Sequence, residues 1–154
     1  MKALILSAGL GTRLLPYTRE IPKPLFTLRN RPILAHVISR LKKAGCTSII
    51  INTHHLHDQI ENFLSETDYG VDIRLLHEPD ILETGGAIKN AQRLLEAEPF
   101  FVVNADVISS IDLAALYAFH LASGCTATLA LHDDDRFNTV TVDADSLITG
   151  FKKN

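Results

Sequence analysis

Residues 4–25 read LILSAGLGTRLLPYTREIPKPL, and the way this segment begins decides the fold. Residues 3–6 form a continuous apolar run, the pattern of a strand buried on both faces. The run empties directly into a loop holding Gly9, Gly11, Arg13 and Lys23. Glycines at alternate positions let main-chain amides approach an anion without obstruction from Cβ, and a concave row of amides attracts phosphate oxygens. The segment therefore reads as a strand that delivers a phosphate-binding loop.

Two familiar nucleotide loops fail against the residues. A Walker loop ends in Gly-Lys-Ser/Thr, whereas Gly11 is followed by Thr12-Arg13. A dinucleotide fingerprint needs a third glycine where Leu14 stands and an acidic residue after the second strand, where Asn52 stands. After the glycines come Pro16, Pro22 and Pro24, which donate no main-chain hydrogen bonds and together argue against a continuous helix. Lys23, flanked by prolines, is expected in extended backbone that narrows the range of its ammonium.

Outward from this loop, strands and helices alternate. Pro32 is placed to open a helix carrying Ile33, Leu34, Val37, Ile38 and Leu41, stopped by Gly45. Residues 48–52 form a second buried strand, followed by a helix with Ile60, Phe63 and Leu64, and residues 71–76 a third strand. The turn-rich segment 78–86 leads into a helix with Ala87, Ile88, Ala91, Leu94 and Leu95. Residues 99–106 predict a fourth strand ending in polar residues, 111–123 a helix, and 126–131, 139–142 and 147–151 further strands.

This alternation predicts an α/β domain with a mainly parallel sheet flanked by helices and joined by right-handed crossovers. Ligands of such sheets collect beyond the carboxyl ends of the strands. The glycine loop, residues 78–86 and Asn104-Ala105-Asp106 then face one crevice.

The length of 154 residues suits one domain, 1–154, with a sizeable core. A net charge of -3 supplies no electrostatic footprint for nucleic acid. No cationic amphipathic run marks a membrane surface, and no leader or spanning segment precedes the first strand, so the expected location is cytoplasmic. Cys46 and Cys125 lack metal or redox spacing and are expected as buried, reduced thiols. His54, His55 and His57 sit at adjacent positions that do not point one way, which favours a polar helix start over a metal site. Asp133-Asp134-Asp135 reads as a solvated turn.

Gly9-Leu10-Gly11-Thr12-Arg13-Leu14, Pro16, Thr18 and Pro22-Lys23-Pro24-Leu25 together resemble the signature of the sugar-1-phosphate nucleotidylyltransferases. The resemblance implies a Rossmann-like, glycosyltransferase-A-like domain that joins a nucleoside triphosphate and a sugar 1-phosphate into a nucleotide sugar and pyrophosphate. The attacking phosphate is already an anion, so the site needs no general base; it must gather and stabilise negative charge.

Arg13 can fork onto phosphate oxygens, Lys23 can act as a point charge, and the amides of Gly9, Gly11 and Thr12 add fixed dipoles. The resemblance assigns Arg13 and Lys23 to catalysis and Asp106 to Mg²⁺, an ion that takes oxygen ligands and is commonly held by one or two carboxylates with phosphates. It places Glu83, Thr84, Gly85 and Gly86 against base and ribose; Asn104, two residues before Asp106, is placed to bond a sugar or ribose hydroxyl. Residues 83–86 and 103–106 look most like the branch that handles N-acetylmuramate 1-phosphate with UTP or mannose 1-phosphate with GTP, and which base is used stays open.

The family continues beyond the strand near Phe151 into a part that binds the sugar and supplies a second metal-binding aspartate. The resemblance thus implies that 1–154 lacks that part, and the ending 150–153 lacks the Glu-Lys-Pro often found nearby. A non-catalytic nucleotide-sugar-binding or regulatory module of the same fold is the competing reading. Arg13, Lys23 and Asp106 count against it, and the absent second carboxylate counts for it. Homo-oligomer formation is left open by the sequence.

Overall fold

The first strand, β1 (Lys2–Leu6), lies inside a four-stranded parallel sheet. It pairs with β4 (Ser48–Thr53) on one side and β6 (Phe100–Asn104) on the other, while β5 (Asp72–His77) extends the sheet past β4. The order is β5-β4-β1-β6, and the register sets Leu4 beside both Ile50 and Val102. In the computed structural model, residues 1–96, 98–132, 134 and 139–152 are described.

The apolar runs are continuous because the central strands are covered on both faces. Leu4, Ile5, Ile49, Ile50 and Ile51 are fully buried, each contributing about 1.5–3 kcal/mol relative to exposure. On one face, α3 (Glu83–Asn90) and α4 (Gln92–Leu95) bring Ala91 and Leu95 onto Leu4 and Ile50, with Leu76, Ile88 and Phe100 packed around them.

A short hairpin of β2 (Thr27–Leu28) and β3 (Arg31–Pro32) precedes α1 (Ile33–Lys43). Its two-residue turn has Arg29 and Asn30 at φ 51° and 59°, the twist that suits tight hairpins. Leu34, Ala35, Val37, Ile38 and Leu41 give α1 its buried stripe. Gly45, at φ 96°, ends it: the Gly45 and Cys46 amides donate to the carbonyls of Lys42 and Leu41 at 2.9 and 3.0 Å. Between β4 and β5, α2 (His57–Ser65) buries Ile60.

The structure departs from the sequence-based expectations in several places. The segment before Ala87 is already helical from Glu83, and the helix breaks at Ala91. Glu83 turns the chain into α3 with a φ of 57°, and Gly86 sits where a Cβ would come within 2.8 Å of the Leu82 Cβ, so the glycine admits the close turn. Lys23 is not extended; it opens the short 3-10 turn Lys23–Leu25, and Pro22 carries the extended backbone (φ -66°, ψ 139°). That turn comes after two others, Thr12–Leu14 and Tyr17–Arg19, so the proline loop is folded upon itself.

Two compact units divide the chain. Met1–Ala114 contains the four-stranded sheet and its helices. Ala115–Asn154 contains most of α5 (Leu113–Ser123) and the antiparallel hairpin of β7 (Val140–Val142) and β8 (Ile148–Phe151). Residues 126–131 form no strand, because no described strand runs beside them to pair their main-chain groups. Cys46 is buried as expected, but Cys125 is exposed, directly after Gly124 (φ 65°) just past the end of α5 with its amide on the Ser123 hydroxyl. Asp133 and Asp135 lie outside the described residues. No helix of the described residues is long and apolar enough to cross a membrane.

Candidate active site

The carboxyl ends of β1, β4, β5 and β6 open on a cleft of about 320 Å³. The chain steps from β1 to β4 to β5 in one direction and then returns to place β6 on the other side of β1. A crevice at such a reversal of strand order is the expected ligand position in open α/β sheets. Among the residues singled out from sequence, Gly9, Gly11, Thr12, Arg13, Lys23, Glu83, Thr84, Asn104 and Asp106 line it. Gly85 and Gly86 do not; they are taken up in the first turns of α3.

Gly9 and Gly11 serve different needs. Gly11 has φ 64°, and a Cβ there would come within 2.8 Å of the Thr18 Cγ2. Thr18 is buried and its hydroxyl donates to the Gly11 carbonyl at 3.0 Å, so this glycine is required by the packing of the loop itself. A Cβ at Gly9 would meet no atom within 4 Å. The fold makes no demand for glycine at Gly9, and open space beside a main chain that lines a cleft suits close approach of a ligand.

The proline loop is held from outside by the segment that starts α2. His55 Nε2–H donates to the Thr18 carbonyl at 2.6 Å, and the Gln59 amide donates to the Glu20 carbonyl at 2.8 Å. His54 Nδ1–H donates to the Glu78 carbonyl at 2.8 Å, while His57 Nδ1 meets the Thr53 hydroxyl at 2.8 Å and its ring lies 4.5 Å from that of His77. The three histidines thus have three separate partners. His57 also comes near Asp58 and Glu61 on α2, the ordinary proximity of helix neighbours with exposed carboxylates.

Lys23 and Asp106 form an ion pair through Nζ and Oδ2, each side chain about one-third exposed. Asp106 reaches this place because the ladder continues past β6: the Ala105 amide donates to the Leu6 carbonyl at 3.0 Å. A cation from the proline loop and a carboxylate from the end of β6 are therefore brought together, with Arg13 and the glycine loop lining the same cleft. Together they present fixed positive charge and an oxygen ligand to one space.

Sequence reasoning missed a buried pair beside them, Asn52 and Glu78, both lining the cleft. The Ser7 amide donates to Asn52 Oδ1 at 2.7 Å, Asn52 Nδ2 donates to Glu78 Oε1 at 2.9 Å, and the Leu82 amide donates to Glu78 Oε2 at 3.2 Å. The available signal was an amide ending the all-apolar run of Ile49, Ile50 and Ile51 and a carboxylate immediately after the third strand.

A family model described as nucleotidyl transferase matches residues 2–152. The chain is 39% identical over 135 residues to a mannose-1-phosphate guanyltransferase of Gibberella zeae, covering 85% of the chain and 37% of that protein. It is 44% identical over 134 residues to the N-acetylmuramate alpha-1-phosphate uridylyltransferase of Neisseria meningitidis serogroup B, covering 86% and 57%. The crystal structure of HddC from Yersinia pseudotuberculosis complexed with GMP-PN aligns with a TM-score of 0.80 at 26% identity, covering 99% of the chain and 68% of HddC. The chain spans less than half the length of the mannose-1-phosphate guanyltransferases that it matches. Because the family match runs from residue 2 to residue 152, through every segment that lines the cleft, the chain belongs to the nucleotidyl transferase family, the sugar-1-phosphate nucleotidylyltransferases that its loop signature resembles.

Proposed function

We propose that the cleft binds a nucleoside triphosphate and a sugar 1-phosphate and joins them, releasing pyrophosphate and leaving a nucleotide sugar. An oxygen of the sugar phosphate forms a bond to the α-phosphorus as the bond to the departing pyrophosphate breaks. No proton need be removed from the nucleophile, so the work of the site is positioning and charge stabilisation.

Arg13 and Lys23 supply the cations, and the amides of Gly9, Gly11 and Thr12 supply fixed dipoles for phosphate oxygens. Glu83 and Thr84 face the base and ribose, and Asn104 bonds a sugar or ribose hydroxyl. The observation that carries this reading is the meeting of Lys23 with Asp106 in a cleft also lined by Arg13 and the glycine loop. An incoming phosphate competes with Asp106 for the Lys23 ammonium.

A divalent cation fits these residues. Asp106 is a partly exposed carboxylate in a cleft whose lining also includes Thr12 and Asn104, residues that carry further oxygen atoms. Magnesium takes such oxygen ligands, commonly one or two carboxylates with substrate phosphates. Asp106 would hold it, and the ion when bound supplies neutralisation of phosphate charge.

The names of the two relatives support two substrate pairs, UTP with N-acetylmuramate 1-phosphate and GTP with mannose 1-phosphate. Incubation of the chain with each pair and Mg²⁺ tests the proposal through pyrophosphate formation. Product with either pair supports it, and nucleotide bound without pyrophosphate formed from either favours the competing reading of a binding module.

A further inference from the structure

Asn52 and Glu78 line the cleft yet are only 3% and 1% exposed. Among the described residues no Lys, Arg or His side chain lies within ion-pair distance of the Glu78 carboxylate. A buried carboxylate without a cation is costly, and apolar residues of similar volume would serve stability as well or better. What the pair does instead is bridge backbone. Its three hydrogen bonds begin at the Ser7 amide, where the glycine loop starts, and end at the Leu82 amide, one residue before Glu83. Glu78 is itself anchored to the sheet by its amide, which donates to the Thr53 carbonyl at 2.8 Å.

We propose that Asn52 and Glu78 are positioning residues that set the spacing between the glycine loop after β1 and residues 82–84, and so the nucleoside end of the cleft. The inference rests on the nucleotide reading of that cleft.

The bonding pattern restricts which residues can do this. Both ends of the bridge are main-chain N–H donors, so each bridging side chain must turn an oxygen toward its own end. Between the two side chains one hydrogen must then be shared. An amide paired with a carboxylate meets this condition in either order. Two amides leave one of the three bonds unmade whichever way they flip, and two carboxylates repel unless they share a proton.

The test compares the parent chain, Asn52→Asp, Glu78→Gln and the double exchange Asn52→Asp with Glu78→Gln. Dissociation constants for GTP and UTP with Mg²⁺ are measured by calorimetry on proteins shown to unfold cooperatively. At about pH 8.5, where a proton shared between two carboxylates is less retained than at lower pH, each single variant is expected to bind roughly tenfold or more weakly, the effect of a buried bond left unmade. The double exchange rebuilds all three bonds with the same charge and is expected to return close to the parent. Asn52→Asp alone is expected to regain affinity as pH falls and the two carboxylates share a proton. His54, whose Nδ1–H donates to the Glu78 carbonyl, and the Lys23–Asp106 pair are present in all four proteins, so the parent's pH profile is the reference.

Single variants that bind like the parent, or a folded double exchange as weak as the singles, would overturn the positioning role. If the singles do not fold, a double exchange that folds and binds supports it, and one that fails to fold or to bind overturns it. A parent that binds neither nucleotide overturns the nucleotide reading and this inference together, whereas a binding parent with unaffected variants overturns this inference alone.

Discussion

Lys23 and Asp106 stand 83 residues apart in the chain and meet as an ion pair in the cleft that both line. A partly exposed pair of this kind contributes little to folding, roughly 0–1 kcal/mol. Its significance lies in what each partner can do for a ligand.

Lys23→Ala is expected to leave thermal stability nearly unchanged while weakening nucleoside triphosphate binding by about 1–3 kcal/mol, the range for a lost charged hydrogen bond. Parallel calorimetric titration and thermal unfolding check this. Equal affinity in variant and parent would remove Lys23 from the site.

Asp106→Asn keeps the shape of the side chain and removes the charge that would hold a divalent ion. Without ligand its stability is expected within about 1 kcal/mol of the parent. The additional rise in melting temperature that Mg²⁺ brings in the presence of nucleotide should disappear, since bound ligands stabilise the native state by mass action. The same Mg²⁺-dependent rise in both proteins would show that the ion is held elsewhere.

The two glycines of the loop separate folding from binding. Gly11→Ala forces a side chain into a left-handed backbone and against Thr18, and is expected to cost about 1–3 kcal/mol of stability. Gly9→Ala meets open space and should change stability by no more than about 0.5 kcal/mol, while obstructing a ligand drawn up to the main chain. Denaturant unfolding and nucleotide titration of both variants check the contrast; a destabilised Gly9→Ala with normal binding would reverse the assignment.

Burial pushes the Cys46 thiol above its ordinary pKa, with the amino terminus opposing the shift and Glu98 adding to it. The folded state therefore favours the neutral thiol. Its contribution to stability is complete below the unfolded-state pKa of about 8.5 and is lost as pH rises through the higher folded value. Unfolding free energy should fall above that pH, and Cys46→Ala should flatten the slope; an unchanged slope would assign it to other groups such as Tyr69, whose hydroxyl burial also pushes up. A thiol reagent should label exposed Cys125 well before Cys46.

Much of the Met1–Ala114 unit was legible because β1 and β4 are buried on both faces, which writes apolar runs at residues 3–6 and 49–51. β6 lies at the sheet edge with Val102 exposed, and its aromatic and β-branched residues 100–103 marked it as a strand. The crevice followed from topology once those strands were parallel. Local backbone choices were less legible: Lys23 enters a 3-10 turn and Glu83 starts a helix, because tertiary packing overrides the preference that a neighbouring proline or glycine expresses. Residues 126–131 have strand composition without a described neighbour to pair with, and composition alone cannot supply one. Asn52 and Glu78 stayed hidden because their meaning lies in each other, across 26 residues of sequence, and single positions do not display a pair.

Nucleotide binding at the cleft is decided by calorimetric titration of GTP and of UTP into the chain with Mg²⁺. The cleft is predicted to take up one of the two saturably, with one site per chain, and to lose that affinity in Lys23→Ala. A chain that unfolds cooperatively yet binds neither nucleotide at millimolar concentration would show that the cleft is not a nucleotide site.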